Sequence, residues 1–507
     1  MVSIAVKTCV AALLFVVGYN WIYSCRKRPL PPGPKPVPLV GNALQIPKDA
    51  PWEKLHEWFT TYGPIISLKL GSRTVIVLGN RDVVHDLIQR RSRISSSRPR
   101  FIVFGEHYAK SRFPALLPYD SKWQSFHRIQ SSILNPRNAK GYRPVHIAGC
   151  KQMLYRMLDG EHIVSHFSYF VSSAWSTMLY STRAEPTTET TSDRIHDMLA
   201  HLTELFCIEH SLLDIFPVLE YTPGISWISK RKGEAFFKEM MTFFEARIRK
   251  GLQSASWNIS QAWHQRLPAG TQWEDFAGMI TEVEFAANST LPVTLSIIAM
   301  MFALHPEETK KVQAEIDEQI GTQRLPTFED AGKLPYTDAF LRECLRLQSN
   351  FPFALPRAVT QEEEYMGYRI PRDAIILPCQ YALNMDETVF ESPKAFRPQR
   401  WVDNPNLPSP ATFGFPRRLC PGKSYAKDLM FIGMTSMAWG FNFEADNNVS
   451  ERPSESYSLL YIPSVKTFRF SCRTAAHRAI IEREWQESET NVHSHHSPRS
   501  QVESMRG

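Results

Sequence analysis

Twenty consecutive residues, Ile4–Tyr23, carry one charge, Lys7, and divide this chain before any other pattern is read. At ~1.5 Å of rise per residue such a helix reaches ~30 Å, the thickness of a bilayer's hydrocarbon layer. Tyr19, Trp21 and Tyr23 close the stretch, where amphipathic rings suit the membrane interface. Arg26, Lys27 and Arg28 follow, and positive flanks favour the cytosolic side. No small-x-small cleavage site follows the apolar core, so residues 1–28 read as an uncleaved single-pass anchor rather than a signal peptide. The next ten residues, Pro29 to Pro38, contain six prolines and cannot continue a helix. They predict a stiff hinge over 29–40, followed by one large domain over 41–476. Residues 477–507, rich in charge, Ser and His, read as a disordered tail.

Behind the hinge, Ile65–Leu70 and Thr74–Leu78 alternate as two short strands around a Gly71-Ser72-Arg73 turn. Helical patterns dominate from Asp120 to about residue 350, including spans near Phe276–Leu304, Pro306–Ile320 and Pro335–Leu347. Short β segments punctuated by proline occupy 351–380, and a last helix follows Cys420. The fold class is therefore mainly α with a small β region. Lys and Arg exceed Asp and Glu by seven, yet no basic run with interleaved aromatics marks a nucleic-acid surface. Neither a P-loop nor a strand-linked G-x-G-x-x-G is present, so no nucleotide site is read from the chain. Eight cysteines at irregular spacing, with no C-x-x-C, fit free thiols in a reducing compartment. The sequons at Asn258, Asn288 and Asn448 are discounted for a cytosolic domain.

The segment richest in chemistry is Phe413-Gly414-Phe415-Pro416-Arg417-Arg418-Leu419-Cys420-Pro421-Gly422. Cys420 precedes a helix start, where free N–H groups and the positive helix end stabilise a thiolate. Arg417 and Arg418 add charge. A thiolate so placed suits a nucleophile or a metal ligand; the plain alternative is a small buried apolar residue.

This segment resembles the haem-binding loop of the cytochrome P450 family, F-x-x-G-x-R-x-C-x-G, matching at Phe413, Arg418, Cys420 and Gly422. The resemblance implies that Cys420 is the axial ligand of haem b and that Arg418 holds a propionate. Glu343-Cys344-Leu345-Arg346 matches the family's E-x-x-R helix, and Phe396 to Trp401 is similar to its P-E-R-F/W segment. The resemblance thus implies a buried network of Glu343, Arg346 and Arg400. It also implies that Pro356-Arg357 binds a propionate and that Trp123 lies on the W-x-x-x-R helix. The order holds over about residues 1–476. Ser97-Arg98-Pro99 and the anchored layout resemble fungal microsomal members, particularly the group like O-methylsterigmatocystin oxidoreductase.

Three positions depart from the pattern. Pro416 replaces a glycine, fixing φ and removing a donor, so the loop is expected to take another path. In the oxygen-activating helix, Ala286-Ala287-Asn288-Ser289-Thr290-Leu291 keeps the threonine that bonds dioxygen, but Ser289 replaces the proton-relaying acid. Pro292 should free the carbonyl of Asn288, while Glu282 and Glu284 nearby read first as surface or structural carboxylates. His127 stands where the family has arginine after Trp123, with Arg128 next to it; Arg128 is favoured as the propionate partner because its charge is independent of pH.

The expected reaction inserts one oxygen atom from dioxygen into a hydrophobic small molecule of secondary metabolism. NADPH–cytochrome P450 reductase is the implied electron donor, docking on Arg128, Arg137, Arg417, Lys423 and Lys427. The implied pocket draws on Phe101, Phe104, Phe113, Phe285, Ser289, Phe353, Ala354, Leu459 and Leu460. The expected location is the endoplasmic reticulum membrane with the catalytic domain cytosolic. The altered relay keeps open a haem-thiolate isomerase, dehydratase or ring-forming oxidase, and a weakly active membrane-anchored haem-binding protein.

Overall fold

A computed structural model describes residues 28–182, 191–205, 212–222, 224–445, 455–457, 460–462 and 468–494. Residues 1–27 of the expected 1–28 anchor, and Leu459, Asn448 and Cys207, therefore lie outside the described residues.

Most of the chain is helical. The elements that place the site are α1 (Pro51–Tyr62), α2 (Ser121–Ile133), α3 (Arg143–Arg156), α4 (Ile163–Tyr180), α5 (Ile225–Leu252), α6 (Trp273–Leu304), α7 (Pro335–Leu347), α8 (Lys423–Gly440) and α9 (Ala475–Ser494). A four-stranded sheet runs β1 (Ile65–Leu70), β2 (Arg73–Leu78), β4 (Ile375–Pro378), β3 (Arg357–Ala358) in spatial order. β1 and β2 form an antiparallel hairpin with Ile65 opposite Leu78. β2 pairs in parallel with β4, and β4 antiparallel with β3.

Helix α6 is the spine. Its first turn carries Glu274 and Asp275, favourable near the positive helix end. Beyond it the sequence is apolar on nearly every side, as for a helix buried all round. It passes through Pro292 without ending. Among the described residues it is the one helix long and apolar enough to cross a membrane, but it is a core helix, mostly buried.

Glu284 is the charged exception in this core. It is fully buried, with its Oε2 accepting from the Tyr180 hydroxyl at 2.6 Å and its Oε1 lying 2.8 Å from Arg247 Nη2. Arg247 also donates to Ser176 Oγ at 2.7 Å and packs over the rings of Tyr180 and Phe243. Glu284 is thus the structural carboxylate of the sequence reading, tying α4, α5 and α6 together.

The proline run is not a free spacer. Ser67 donates its N–H to Pro32 O at 2.9 Å and its hydroxyl to Pro31 O at 2.6 Å. Arg369 N–H bonds Pro29 O at 2.9 Å, and Asn42 Nδ2 bonds Pro34 O at 3.0 Å. A Cβ on Gly33 would sit 2.2 Å from Ser67 O, so only glycine lets the strap lie this close to β1. The expected hinge is therefore part of the folded domain from Pro29 onward.

The expected disordered tail is also corrected. Helix α9 covers Ala475–Ser494; Ile481 and Trp485 are buried, Trp485 stacks on Tyr155 at 5.8 Å and Glu484 pairs with Lys151 at 2.8 Å. Its polar composition is that of an amphipathic helix with a narrow buried stripe. Residues 495–507 lie outside the described residues.

Removing one partner of a buried ion pair leaves the other charge stranded. Arg247→Met is expected to destabilise the domain by ~3–5 kcal/mol, read as a lower denaturant midpoint, whereas Lys310→Met, whose pair with Glu307 is exposed on both sides, should be much milder.

Candidate haem site

The network around Glu343 is closed on every side. Arg346 grips the carboxylate through Nε and Nη2 at 2.9 and 2.8 Å. Arg400 Nε bonds Oε1 at 3.1 Å, Trp401 Nε1 bonds Oε2 at 2.9 Å, and Arg397 N–H bonds Oε1 at 3.0 Å. Burial works against the Glu343 charge, but these partners outweigh it and its pKa is lowered. The spare guanidinium donors bond Asn384 O, Ala395 O and Glu391 O. Asn384 and α7 then reach the loop before Cys420: Ala411 N–H bonds Asn384 Oδ1 at 3.4 Å, and Thr412 Oγ1 bonds Leu345 O at 3.2 Å.

The loop turns at Phe415–Arg418, where Arg418 N–H bonds Phe415 O at 3.2 Å. Pro416 takes the second position of this turn, which its fixed φ suits, and the left-handed conformation falls on Arg417, φ 61°. Cys420 N–H bonds Phe413 O at 3.0 Å, pulling the thiol back over the loop. Helix α8 begins at Lys423, so Cys420 stands three residues before it rather than at its first turn. Burial pushes the Cys420 thiol up; the Gly422 N–H and the Lys423 charge oppose this without reversing it. This corrects the expected lowering, which the helix end and arginines alone do not achieve in a desolvated site.

Cys420 differs from the other described thiols. Cys150, Cys344 and Cys379 are core residues, with Cys150 and Cys379 pushed up to about 12 by burial. Cys420 lies deep, yet its side chain is open. Leu419 beside it is 38% exposed. On α6, Ala286 is open and Ser289 and Thr290 are half-open amid buried turns. An open residue on an otherwise buried helix borders an interior space.

Three arginines, Arg98 and Arg357 buried and Arg418 half-buried, gather beside the Cys420 loop. Arg98 donates to Ala115 O at 2.7 Å and to Leu355 O and Pro356 O at 2.8 and 2.7 Å. Arg357, on β3, donates to Phe415 O at 2.9 Å and Pro416 O at 3.2 Å. Arg418 donates to Ser96 O at 2.9 Å and Leu117 O at 2.8 Å, and its Nη1 has no partner among the described residues. Burial, then the neighbouring guanidinium charges, hold Arg98 and Arg357 below the arginine range, Arg357 at about 9. Burial takes Arg418 to about 10. Buried cations bonded mainly to carbonyls call for an anion. A haem carries two propionates, and the cluster, its orphaned donor and the open thiol fit that group.

Trp123 is sandwiched between Arg418, 4.1 Å from its ring, and the His127 imidazole, stacked at 4.7 Å. Arg128 is exposed and joins none of these contacts. The preference for Arg128 is thereby corrected: His127 faces the cluster, its pKa lowered by burial and by Arg418.

On the other side, Thr290 and Ser289 both donate to Ala286 O, at 2.8 and 3.2 Å. Asn350 Nδ2 bonds Thr290 O at 3.2 Å and Thr294 Oγ1 at 3.3 Å, a bracing contact that motif spacing does not signal. Phe113 meets Phe104 at 6.1 Å and Phe285 at 6.3 Å, and Phe285 meets Phe244 at 5.0 Å, all edge to face. Phe101 is half-buried at the start of the Ile102–Tyr108 turn. Phe353 and Ala354 are buried as deeply as Phe113 and Phe285: Phe353 packs on Trp52, and Ala354 lies in the cluster that includes the sheet residues Ile76 and Ile376. Leu460 opens a short strand.

The chain matches the Cytochrome P450 family over residues 31–468. It belongs to the cytochrome P450 family. It is 33% identical over 497 residues to the echilunin cytochrome P450 monooxygenase of Aspergillus ruber, covering 96% of this chain and 92% of that one. Cytochrome P450 monooxygenase FrzL of Cladobotryum is 33% identical, with 94% and 95% covered. Fumitremorgin C synthase of Neosartorya fischeri is 31% identical, with 92% and 93% covered. Cytochromes P450 bind haem b through a cysteine thiolate, take electrons from a redox partner and act on hydrophobic substrates. The protein is a haem-thiolate monooxygenase.

Cys420→Ala is expected to abolish the ~450 nm band of the reduced carbon monoxide complex that thiolate ligation gives. Cys472→Ala should keep it, and the opposite pattern would remove Cys420 from the site.

Proposed function

We propose that Cys420 binds the haem iron, that Arg98, Arg357, Arg418, Trp123 and His127 surround the propionates, and that α6 forms the wall where oxygen and substrate meet. One observation carries this reading: buried Arg98 and Arg357 and half-buried Arg418 join the Cys420 loop to α6, Arg357 through Phe415 O and Pro416 O and Arg98 through Ala115 to Glu282, while Cys420 and Ala286 are exposed. Phe413 and Gly422 frame the thiol, Gly422 through its N–H. Glu343, Arg346 and Arg400 hold the loop from behind. Bound haem supplies dioxygen activation and transfer of one oxygen atom to an apolar substrate. The chain's part is to position, to exclude water and to supply protons.

Proton supply is where this chain is unusual. Ser289 has no acidic proton near pH 7, and its hydroxyl is already directed at Ala286 O, as is that of Thr290. Water held at these hydroxyls must do what an Asp or Glu does elsewhere. General acid catalysis contributes ~10²–10⁴-fold when well placed. This favours poorly coupled hydroxylation, or a native ring-forming oxidation that needs no such proton. Fungal relatives and phenylalanine walls support a hydrophobic secondary metabolite as substrate, of polyketide, terpenoid or prenylated-alkaloid type. Ser289→Asp is expected to lower peroxide released per NADPH on a surrogate hydroxylation substrate at unchanged haem content. Near-complete coupling in the parent enzyme, retained in Thr290→Ala, would remove this account of α6.

NADPH–cytochrome P450 reductase is the proposed donor. Arg128, Arg137, Arg417 and Lys427 are exposed and Lys423 half-exposed, a basic face whose encounters are salt-sensitive.

The proposed location is the endoplasmic reticulum membrane. Val218, Tyr221, Trp227 and Ile228 are 70%, 84%, 60% and 51% exposed, and Leu39 and Leu44 are 89% and 79% exposed. Both segments border one turn: Gly71 N–H bonds Val40 O, and Ser72 Oγ bonds Ile215 O. Lys230, Arg231 and Lys232 lie beside the patch, a pairing of apolar and basic groups that suits an anionic bilayer surface. Removal of residues 1–28 should leave a folded haem protein that carbonate strips from membranes. Adding Tyr221→Ser and Trp227→Glu should then abolish residual vesicle binding. Integral behaviour of the truncated chain would contradict a single anchor.

A further inference from the structure

Asp275, Gly278 and Glu282 are spaced three and four residues apart on α6, so they share one face. Each takes hold of the same neighbouring segment. Asp275 pairs with Arg112, and with Lys122 Nζ at 2.8 Å. At Gly278 a Cβ would stand 2.6 Å from Arg112 Cβ and 2.9 Å from its carbonyl oxygen, so the segment lies directly on the helix backbone. Glu282 Oε1 accepts the Ala115 N–H at 2.6 Å. The carbonyl of Ala115 is held in turn by Arg98 Nε at 2.7 Å.

Ala115 is therefore clamped on both sides, and Phe113 stands two residues before it. The Phe113 ring meets Phe285 and Phe104 edge to face. One helical turn beyond Glu282 comes Ala286, the open residue of the stripe. Glu282 thus marks the point where the zipped part of α6 ends and the interior space begins.

We propose that Glu282 is a positioning residue that determines specificity: by holding the Ala115 amide it fixes how far Phe113 projects into the substrate space. The role requires an acceptor on a side chain of this length, not a charge. Glutamine can accept the same bond and leucine cannot. The proposal builds on the haem-site reading, but hydrogen exchange at Ala115 tests it without that premise.

The test uses the full-length, haem-loaded protein. In the parent, the Ala115 amide should exchange far more slowly than that of Lys110, which has no protein hydrogen bond among the described residues. In Glu282→Leu it should quicken about tenfold, the scale of one lost hydrogen bond to a charged group. Glu282→Gln should stay near the parent. Azole binding, read by the haem spectrum, supplies the second arm with two probes. Imidazole, small enough to miss the Phe113 wall, should keep its dissociation constant in both variants. Clotrimazole, bulky enough to meet that wall, should change several-fold in Glu282→Leu and not in Glu282→Gln. Fast exchange at Ala115 in the parent overturns the proposal even if Glu282→Leu does not fold. So does a Glu282→Gln that behaves like Glu282→Leu, or a parallel shift for both azoles. Absence of any azole spectrum would overturn the haem-site reading, leaving the exchange result to decide on Glu282.

Discussion

A single carboxylate, Glu343, organises the proximal half of this protein. Two arginines, an indole N–H and a backbone N–H satisfy it, and the arginines spend their other donors on the carbonyls of residues 384–395. In water such bonds are worth little net; in a dry interior, loss of any partner strands a charge. The arrangement is therefore all or none, and rigidity passes from it through Asn384 and Thr412 to the loop that presents Cys420. The cost of holding it is met far from the sulfur.

The distal half is held differently. Helix α6 has no comparable saturated centre beneath Cys420, but is tied at its flank by Glu284 with Tyr180 and Arg247, at its start by Asp275, and at Thr290 by Asn350. These ties surround the open stripe without filling it. The interior space exists because polar contacts on its borders carry the packing that its lining does not. This division explains why Arg98 and Arg357 can be buried, and Arg418 half-buried, with carbonyl partners while Arg418 Nη1 stays unpaired among the described residues.

Regular elements were largely legible in the sequence. Helix Pro335–Leu347 and strand Ile65–Leu70 have the expected bounds because periodicity and the flanking prolines and glycines report local geometry. Glu343, Arg346 and Arg400 come together as the motif resemblance implied. What failed were judgements that depend on surroundings. The proline run was read for stiffness, but nothing in its composition names β1 as its partner. The charge on Cys420 was read from the nearby helix end, while desolvation, the larger influence, is invisible in sequence. Residues 477–494 look polar on average, and three buried side chains, His477, Ile481 and Trp485, suffice to dock a helix. Arg128 was preferred over His127 for its permanent charge, but helical phase places His127 against Trp123. Arg98 had a written signal, its place between Ser97 and Pro99; Asn350 and Glu282 had none, because their partners lie 60 and 167 residues away.

The strap from Pro29 to Pro38 alters how a membrane would be felt by the enzyme. Chain that is hydrogen-bonded to β1 and to Arg369 offers no slack. Where residues before it are held in a bilayer, the domain cannot swing on a leash; it tilts as one body. Its bonds to Ser67 fasten it to the sheet whose other edge carries Arg357, so orientation is set against the arginine cluster itself. A partner diffusing in the same plane then meets one repeated presentation of the basic face instead of sampling all of them. Such confinement converts a three-dimensional search into an almost two-dimensional one, with glycine at position 33 as its least conspicuous requirement.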